Sequence, residues 1–160
     1  MPRQLPLEAI VPGLQQTRWE ERSPEDYHYN CIAFAVGEIH SYQWWEPSGY
    51  RIHYWPPGIP RDYSLDSYTE VYKLHGYTVC DTEDLEDGYE KVAIFVDSLL
   101  IPNHAARQTI SGTWVSKIGE YEDIEHDSLR ALEGAENYGT VARLLRRPGS
   151  NISDASLLNQ

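Results

Sequence analysis

The sequence predicts an α+β domain in which a buried N-terminal helix packs on an antiparallel sheet of about four to six strands, and three observations carry that expectation. The run CIAFAVGEI, Cys31 to Ile39, is apolar on nearly every face, which suits a short helix buried all round rather than a surface helix. The run KVAIFV, Lys91 to Val96, is continuous, apolar and rich in β-branched residues, as a central strand must be. Two further strand patterns, Asn103 to Gln108 and Thr113 to Ile118, follow around a Ser111-Gly112 turn, so an antiparallel meander is expected. A chain of 160 residues fits one domain, here 1–147, followed by a loose Ser- and Asn-rich tail over 148–160.

Taken in order, residues 1–29 alternate proline, charge and isolated apolar side chains, which predicts an extended lead-in with Trp19 and the SPED stretch as landmarks. Asn30 is placed to cap the Cys31 helix, because its side-chain oxygen can accept from orphan backbone N–H groups. Between Ser41 and Asp62, six prolines and glycines interleave with aromatics and exclude long regular structure, leaving an aromatic loop. Ser64 then precedes a helical pattern through Leu65, Tyr68, Val71, Tyr72 and His75, with Gly76 placed to stop it. Tyr77 to Cys80 reads as a short strand and Asp81 to Gly88 as a solvated acidic turn. Asp127 is placed to cap a short helix reaching Gly134, and Val141 to Leu145 is a last strand or helix.

Composition narrows the function classes. Thirteen basic against twenty-five acidic side chains give a net charge near −12, which repels nucleic-acid backbones and anionic membrane surfaces. No apolar stretch approaches the roughly 20 residues of a membrane span, and the N-terminus lacks a signal-peptide core, so a cytoplasmic location is expected. The two cysteines, Cys31 and Cys80, have neither disulfide-framework nor zinc-knuckle spacing, and the histidines show no HxxxH pair. No metal and no organic cofactor is expected.

A cysteine in the first turn of a helix feels the positive end of the helix dipole, which favours the thiolate. Cys31 holds that position if the helix forms, although a lone cysteine in an apolar helix is also simply a small buried hydrophobe. A thiolate nucleophile needs a base, and six histidines compete for the role. His104 has the best context, on a strand beside the core strand with small Ala105 and Ala106 next to it; His28, three residues from Cys31, is the rival. His40 and His75 fall at helix C-terminal ends, His53 in the aromatic loop and His126 in an acidic stretch.

YNCIAFA, followed some distance on by KVAIFVDSLLIPNHAARQ and GTWVSKIG, resembles the papain-like superfamily and its NlpC-type and CHAP amidase branches. The chain from Trp19 to Arg147 also resembles a family of small bacterial proteins sharing NCIAFA, HAARQ and WxSKxG. The papain-like resemblance implies Cys31 as nucleophile, His104 as base and, on the next strand, a polar residue orienting the imidazole. That position falls at Ser116, a departure from the usual amide, carboxylate or imidazole, so Asp123, Glu120 and Asn103 are alternatives. Asn30 is assigned either to an oxyanion hole or to the helix cap. Trp44, Trp45 and Trp55 form either a substrate wall or core packing, and Lys117 and Arg107 either bind a carboxylate or keep an exposed face soluble.

Two functions are carried forward from this reading. The first is thiol-dependent acyl hydrolysis or transfer on a peptide or protein substrate; the second is a non-catalytic module of the same scaffold whose aromatic loop holds a protein partner.

Overall fold

The computed structural model describes residues 5–26, 28–37, 44–50 and 53–149. The end of the predicted first helix at Ile39, with His40, and the tail beyond Gly149 lie outside them. One antiparallel sheet dominates. It is built from β1 (Trp19–Ser23), β4 (Thr78–Cys80), β5 (Tyr89–Val96), β6 (Pro102–Gln108), β7 (Trp114–Lys117), β8 (Asp123–His126) and β9 (Thr140–Pro148), in the order β1-β8-β7-β6-β5-β9-β4. Two short segments of the aromatic loop, β2 (Trp44–Trp45) and β3 (His53–Tyr54), pair in parallel as a separate ribbon. Among the described residues no helix is long and apolar enough to cross a membrane.

The sheet is covered on both sides, which explains the unbroken apolar run of β5. Helices α2 (Cys31–Val36) and α3 (Leu65–Leu74) pack on one face, which will be called the helical face, against Val92, Ile94, Ala105 and Val115. The other face meets Ala93, Phe95, Ala106 and Trp114 and is covered by α1 (Leu7–Ile10) and two 3₁₀ turns, Pro12–Gln16 and Leu129–Leu132. Successive strand residues point to opposite faces, so each core strand feeds both clusters.

Local chemistry sets the helix ends. The Asn30 Oδ1 accepts from the Ala33 N–H at 3.1 Å, and Gly37 closes α2 in the left-handed region with φ 92°. Ser64 caps α3 by accepting from Ser67. All six residues of α2 are buried, in keeping with a sequence that offers no polar face.

Several expectations change. The lead-in is not merely extended: α1, a 3₁₀ turn and the edge strand β1 cover the non-helical face with Leu7, Val11 and Leu14. The acidic stretch before His126 contributes β8, the neighbour of β7, bringing the sheet to seven strands. The last element is the nine-residue strand β9, seated between β5 and β4. Ser128, not Asp127, precedes the short turn of helix, which is 3₁₀. The acidic turn after β4 is not simply solvated: the carbonyls of Thr82 and Asp84 and the Glu86 carboxylate surround the buried Lys91 ammonium at 2.7–2.8 Å. A buried cation requires such partners.

Asn30 does more than cap. Its Oδ1 also accepts from the Trp45 N–H at 3.3 Å and its Nδ2 donates to the Trp45 carbonyl at 2.8 Å, tying the aromatic loop to α2. Asn30→Ala removes the cap and leaves two buried backbone groups of Trp45 without partners, so the unfolding free energy measured in urea is expected to fall by about 2–4 kcal/mol.

Candidate functional site

Cys31 opens α2 and, together with Asn30, lines a cavity of about 350 Å³. Trp44 and Trp45 of β2, Glu46 beside them, Tyr63 and Tyr68 form much of its wall. Asn103, at the start of β6, and Tyr138, in the turn before β9, also line it. The cavity lies where the helix N-terminus, the aromatic loop and one end of the sheet meet.

The thiol is nearly closed off, with Cys31 8% exposed. Burial pushes its pKa up to about 11, while the backbone amides of Ala105, Cys31 and Ile32 and the charge of Lys117 pull the other way without prevailing. At neutral pH burial therefore favours the protonated thiol.

His104 is on β6 directly opposite Phe95, so it projects to the face of Phe95, Ala106 and Trp114. Cys31 packs with Ala105, the next residue along, on the helical face. The expected Cys31–His104 pair is therefore not assembled, because side chains alternate along a strand and these two residues belong to opposite faces. Among the described residues no hydrogen bond joins them, and the His104 Nδ1 is buried without a partner.

His104 instead belongs to a buried relay whose proton positions follow from its geometry. The His126 Nδ1 lies 2.9 Å from the Ser128 carbonyl, which can only accept, so that nitrogen carries the proton. The His126 Nε2 then accepts from the Ser116 hydroxyl at 2.8 Å. Ser116 Oγ in turn accepts from His104 Nε2–H at 3.0 Å, leaving Nδ1 of His104 as the lone-pair nitrogen. Burial holds the pKa of His104 well below the ordinary histidine range, with His126 adding to the effect, and it holds His126 at about 4. Both rings are neutral at physiological pH. The Tyr138 ring stacks on His104 at 4.0 Å and 13°, and Phe95 meets it edge-on at 5.2 Å.

Gly139 makes that stacking possible. Its φ is 80°, and a Cβ there would fall 2.0 Å from the Val96 carbonyl oxygen, so only glycine lets this turn lie against β5 and carry Tyr138 over the imidazole.

The remaining sequence candidates separate clearly. Ser116 contacts His104 as described. Asp123 lies on the helical face, where it accepts hydrogen bonds from Tyr29, at 2.9 Å, and from Ser23; Glu120 is exposed; Asn103 lines the cavity. Trp44 and Trp45 are in the cavity wall, whereas Trp55 is buried core, with its indole N–H on the Pro60 carbonyl and its ring against Tyr68. Lys117 and Arg107 are not exposed-face residues or open carboxylate ligands. Lys117 is fully buried over the Tyr29 ring and donates to the Tyr121 carbonyl; Arg107 pairs with Glu90 at 3.0 Å. His28 is exposed, 2.8 Å from Asp26, and His53 faces Ser48 and Glu46. Sequence reasoning missed Glu46, His126 and Tyr138. His126 alternates with Ile124 in a strand-like DIEH pattern, a signal masked by the surrounding acids.

Fold and cavity together define an α+β domain with an aromatic, thiol-lined pocket at one end of a doubly covered sheet. The chain belongs to the family described as Domain of unknown function (DUF7689), whose model matches residues 20–146. Comparison with curated proteins and with solved structures finds no match. Among the described residues no cluster of side chains is suited to hold a metal ion.

The neutral relay makes the fold acid-sensitive. An unfolded histidine takes up a proton near pH 6.5, but folded His126 resists until about 4, so between these values the unfolded state binds more protons and stability falls as pH falls. Urea unfolding of wild type is expected to lose on the order of 3 kcal/mol through this group between pH 6.5 and 4. In His126→Gln the dependence of stability on pH over the same window should be shallower; an unchanged slope would refute the assignment.

Proposed function

We propose that this domain is a binding module on a papain-like scaffold, its aromatic pocket receiving a side chain or terminus of a protein or peptide partner. The observation that carries this reading is the separation of Cys31 and His104 onto opposite faces of the sheet, next to a pocket with a wall of aromatic rings. A nucleophilic thiol needs a base within hydrogen-bond reach. His104 directs its N–H to Ser116, and its neutral ring supports Tyr138.

The scaffold assignment rests on the order of elements, a cysteine opening a buried helix followed by an antiparallel meander. The pocket itself has the usual ingredients of a recognition site: concavity, aromatic walls and a small number of polar groups.

A second reading, thiol-dependent acyl chemistry at Cys31, is favoured by one specific arrangement. The amides of Cys31, Ile32 and Ala105 act on the sulfur together with the Lys117 charge, and the residue lines an accessible cavity. This is the kind of environment in which ligand binding that expels water can change thiol reactivity.

The pH dependence of Cys31 alkylation by iodoacetamide separates the two. In Cys80→Ala protein, the binding module predicts slow reaction at pH 7 and a midpoint near 11, the same with and without His104→Ala. A midpoint below about 8.5 that His104→Ala abolishes would establish an activated pair and replace the binding reading with the enzymatic one.

A further inference from the structure

The charge inventory of the pocket is one-sided. Glu46 lines it, and no lysine, arginine or histidine does so among the described residues. The Cys31 thiol is neutral, and burial raises the pKa of Tyr68 and Tyr138, keeping them neutral as well. Glu46 is the acidic side chain of the described lining, and its field reaches the pocket rings: it acts to raise the pKa of both Tyr63 and Tyr68. One of its oxygens lies 3.2 Å from the His53 Nδ1, which anchors the carboxylate from the ribbon side.

Five aromatic residues share the lining with this acid, Trp44, Trp45, Tyr63, Tyr68 and Tyr138. The face of an aromatic ring is electron-rich, so several rings converging beside a carboxylate attract a cation while accommodating its aliphatic stem. A second observation concerns the backbone of the ligand. Trp45 lines the pocket, and its buried indole N–H has no acceptor among the described residues. A buried donor without a partner costs free energy, and a peptide carbonyl would satisfy it.

We infer that the pocket recognises a basic side chain, lysine or arginine, presented by a peptide, with Glu46 and the aromatic wall selecting the cation. This deepens the binding reading proposed above and rests on it. The net charge of −12 acts in the same direction at longer range, drawing a basic segment toward the domain. An anionic or apolar side chain of similar length would bring no cation to the Glu46 carboxylate, which has the His53 ring as its neighbour.

The test uses the full chain and four blocked pentapeptides, acetyl-Gly-Gly-X-Gly-Gly-amide, with X lysine, arginine, norleucine or glutamate. Binding is read by tryptophan fluorescence and by protection of Cys31 from alkylation. Lysine and arginine peptides are expected to bind at least about tenfold more tightly than norleucine. The glutamate peptide should be weakest, and the preference for cations should shrink as salt is added. Glu46→Gln, checked by circular dichroism for an intact fold, should abolish the difference between the lysine and norleucine peptides. Equal binding of lysine and norleucine by wild type, or a cation preference that survives in Glu46→Gln, overturns the inference while the pocket stands as a binding site. If no peptide alters fluorescence or protects Cys31, the binding reading falls and the inference falls with it.

Discussion

Covering a β-sheet on both faces imposes a strict sorting on its central strands. Each residue of β5, β6 and β7 is committed to one of two dry environments, and its neighbour in sequence to the other. Apolar side chains meet that constraint by packing, which is why Val92 and Ile94 face the helices while Ala93 and Phe95 face the 3₁₀ turns. Polar side chains must find partners on whichever face they are given. The helical face places Lys117 beside Tyr29, with Asp123 held by Tyr29 and Ser23, and pairs Arg107 with Glu90. The other face links His104, Ser116 and His126 into a chain that ends on a backbone carbonyl.

The same burial governs the thiol. A helix of six residues offers a modest positive end, and the amides near the sulfur add to it, yet desolvation outweighs both and leaves Cys31 protonated. A helix N-terminus lowers a thiol pKa effectively when the sulfur also meets solvent or an imidazolium; here it meets packed side chains and a narrow cavity. Cys31 thus opens α2 at the position that the sequence indicates, with its thiol buried in the pocket lining.

Much of the fold was legible because its signals are local. Asn30 and Ser64 cap where capping chemistry predicted, and KVAIFV is the central strand that its continuous apolar character required. What escaped was non-local. β8 and β9 are defined by their partners: β8 is short and acidic at its start, and β9 carries arginines that pair across to Asp66, Glu86 and Glu90. The arrangement of the candidate site residues depends on a finer scale. The motif NHAAR identifies a strand, but which face receives His104 depends on register, and one residue of slip reverses the answer. The regular pairing from Val92 with Arg107 to Phe95 with His104 sets that register, and an irregularity just beyond it skips Asn103, which lies in the cavity lining. No periodicity in the sequence marks it.

Tyr138 connects the two faces that the sheet otherwise keeps apart. Its ring lines the pocket that Cys31 shares, and it lies flat against His104. Stacking of this kind contributes about 0.5–1.5 kcal/mol, and it requires an imidazole held in one orientation. The relay supplies that orientation: Ser128 fixes the tautomer of His126, Ser116 passes the constraint on, and His104 offers a fixed, neutral plane. In an enzyme of this architecture the imidazole would be placed to move a proton. Here the same ring, one residue out of phase with the helical face, lies flat against the Tyr138 side chain that lines the pocket, so its orientation and that of the pocket wall are set together.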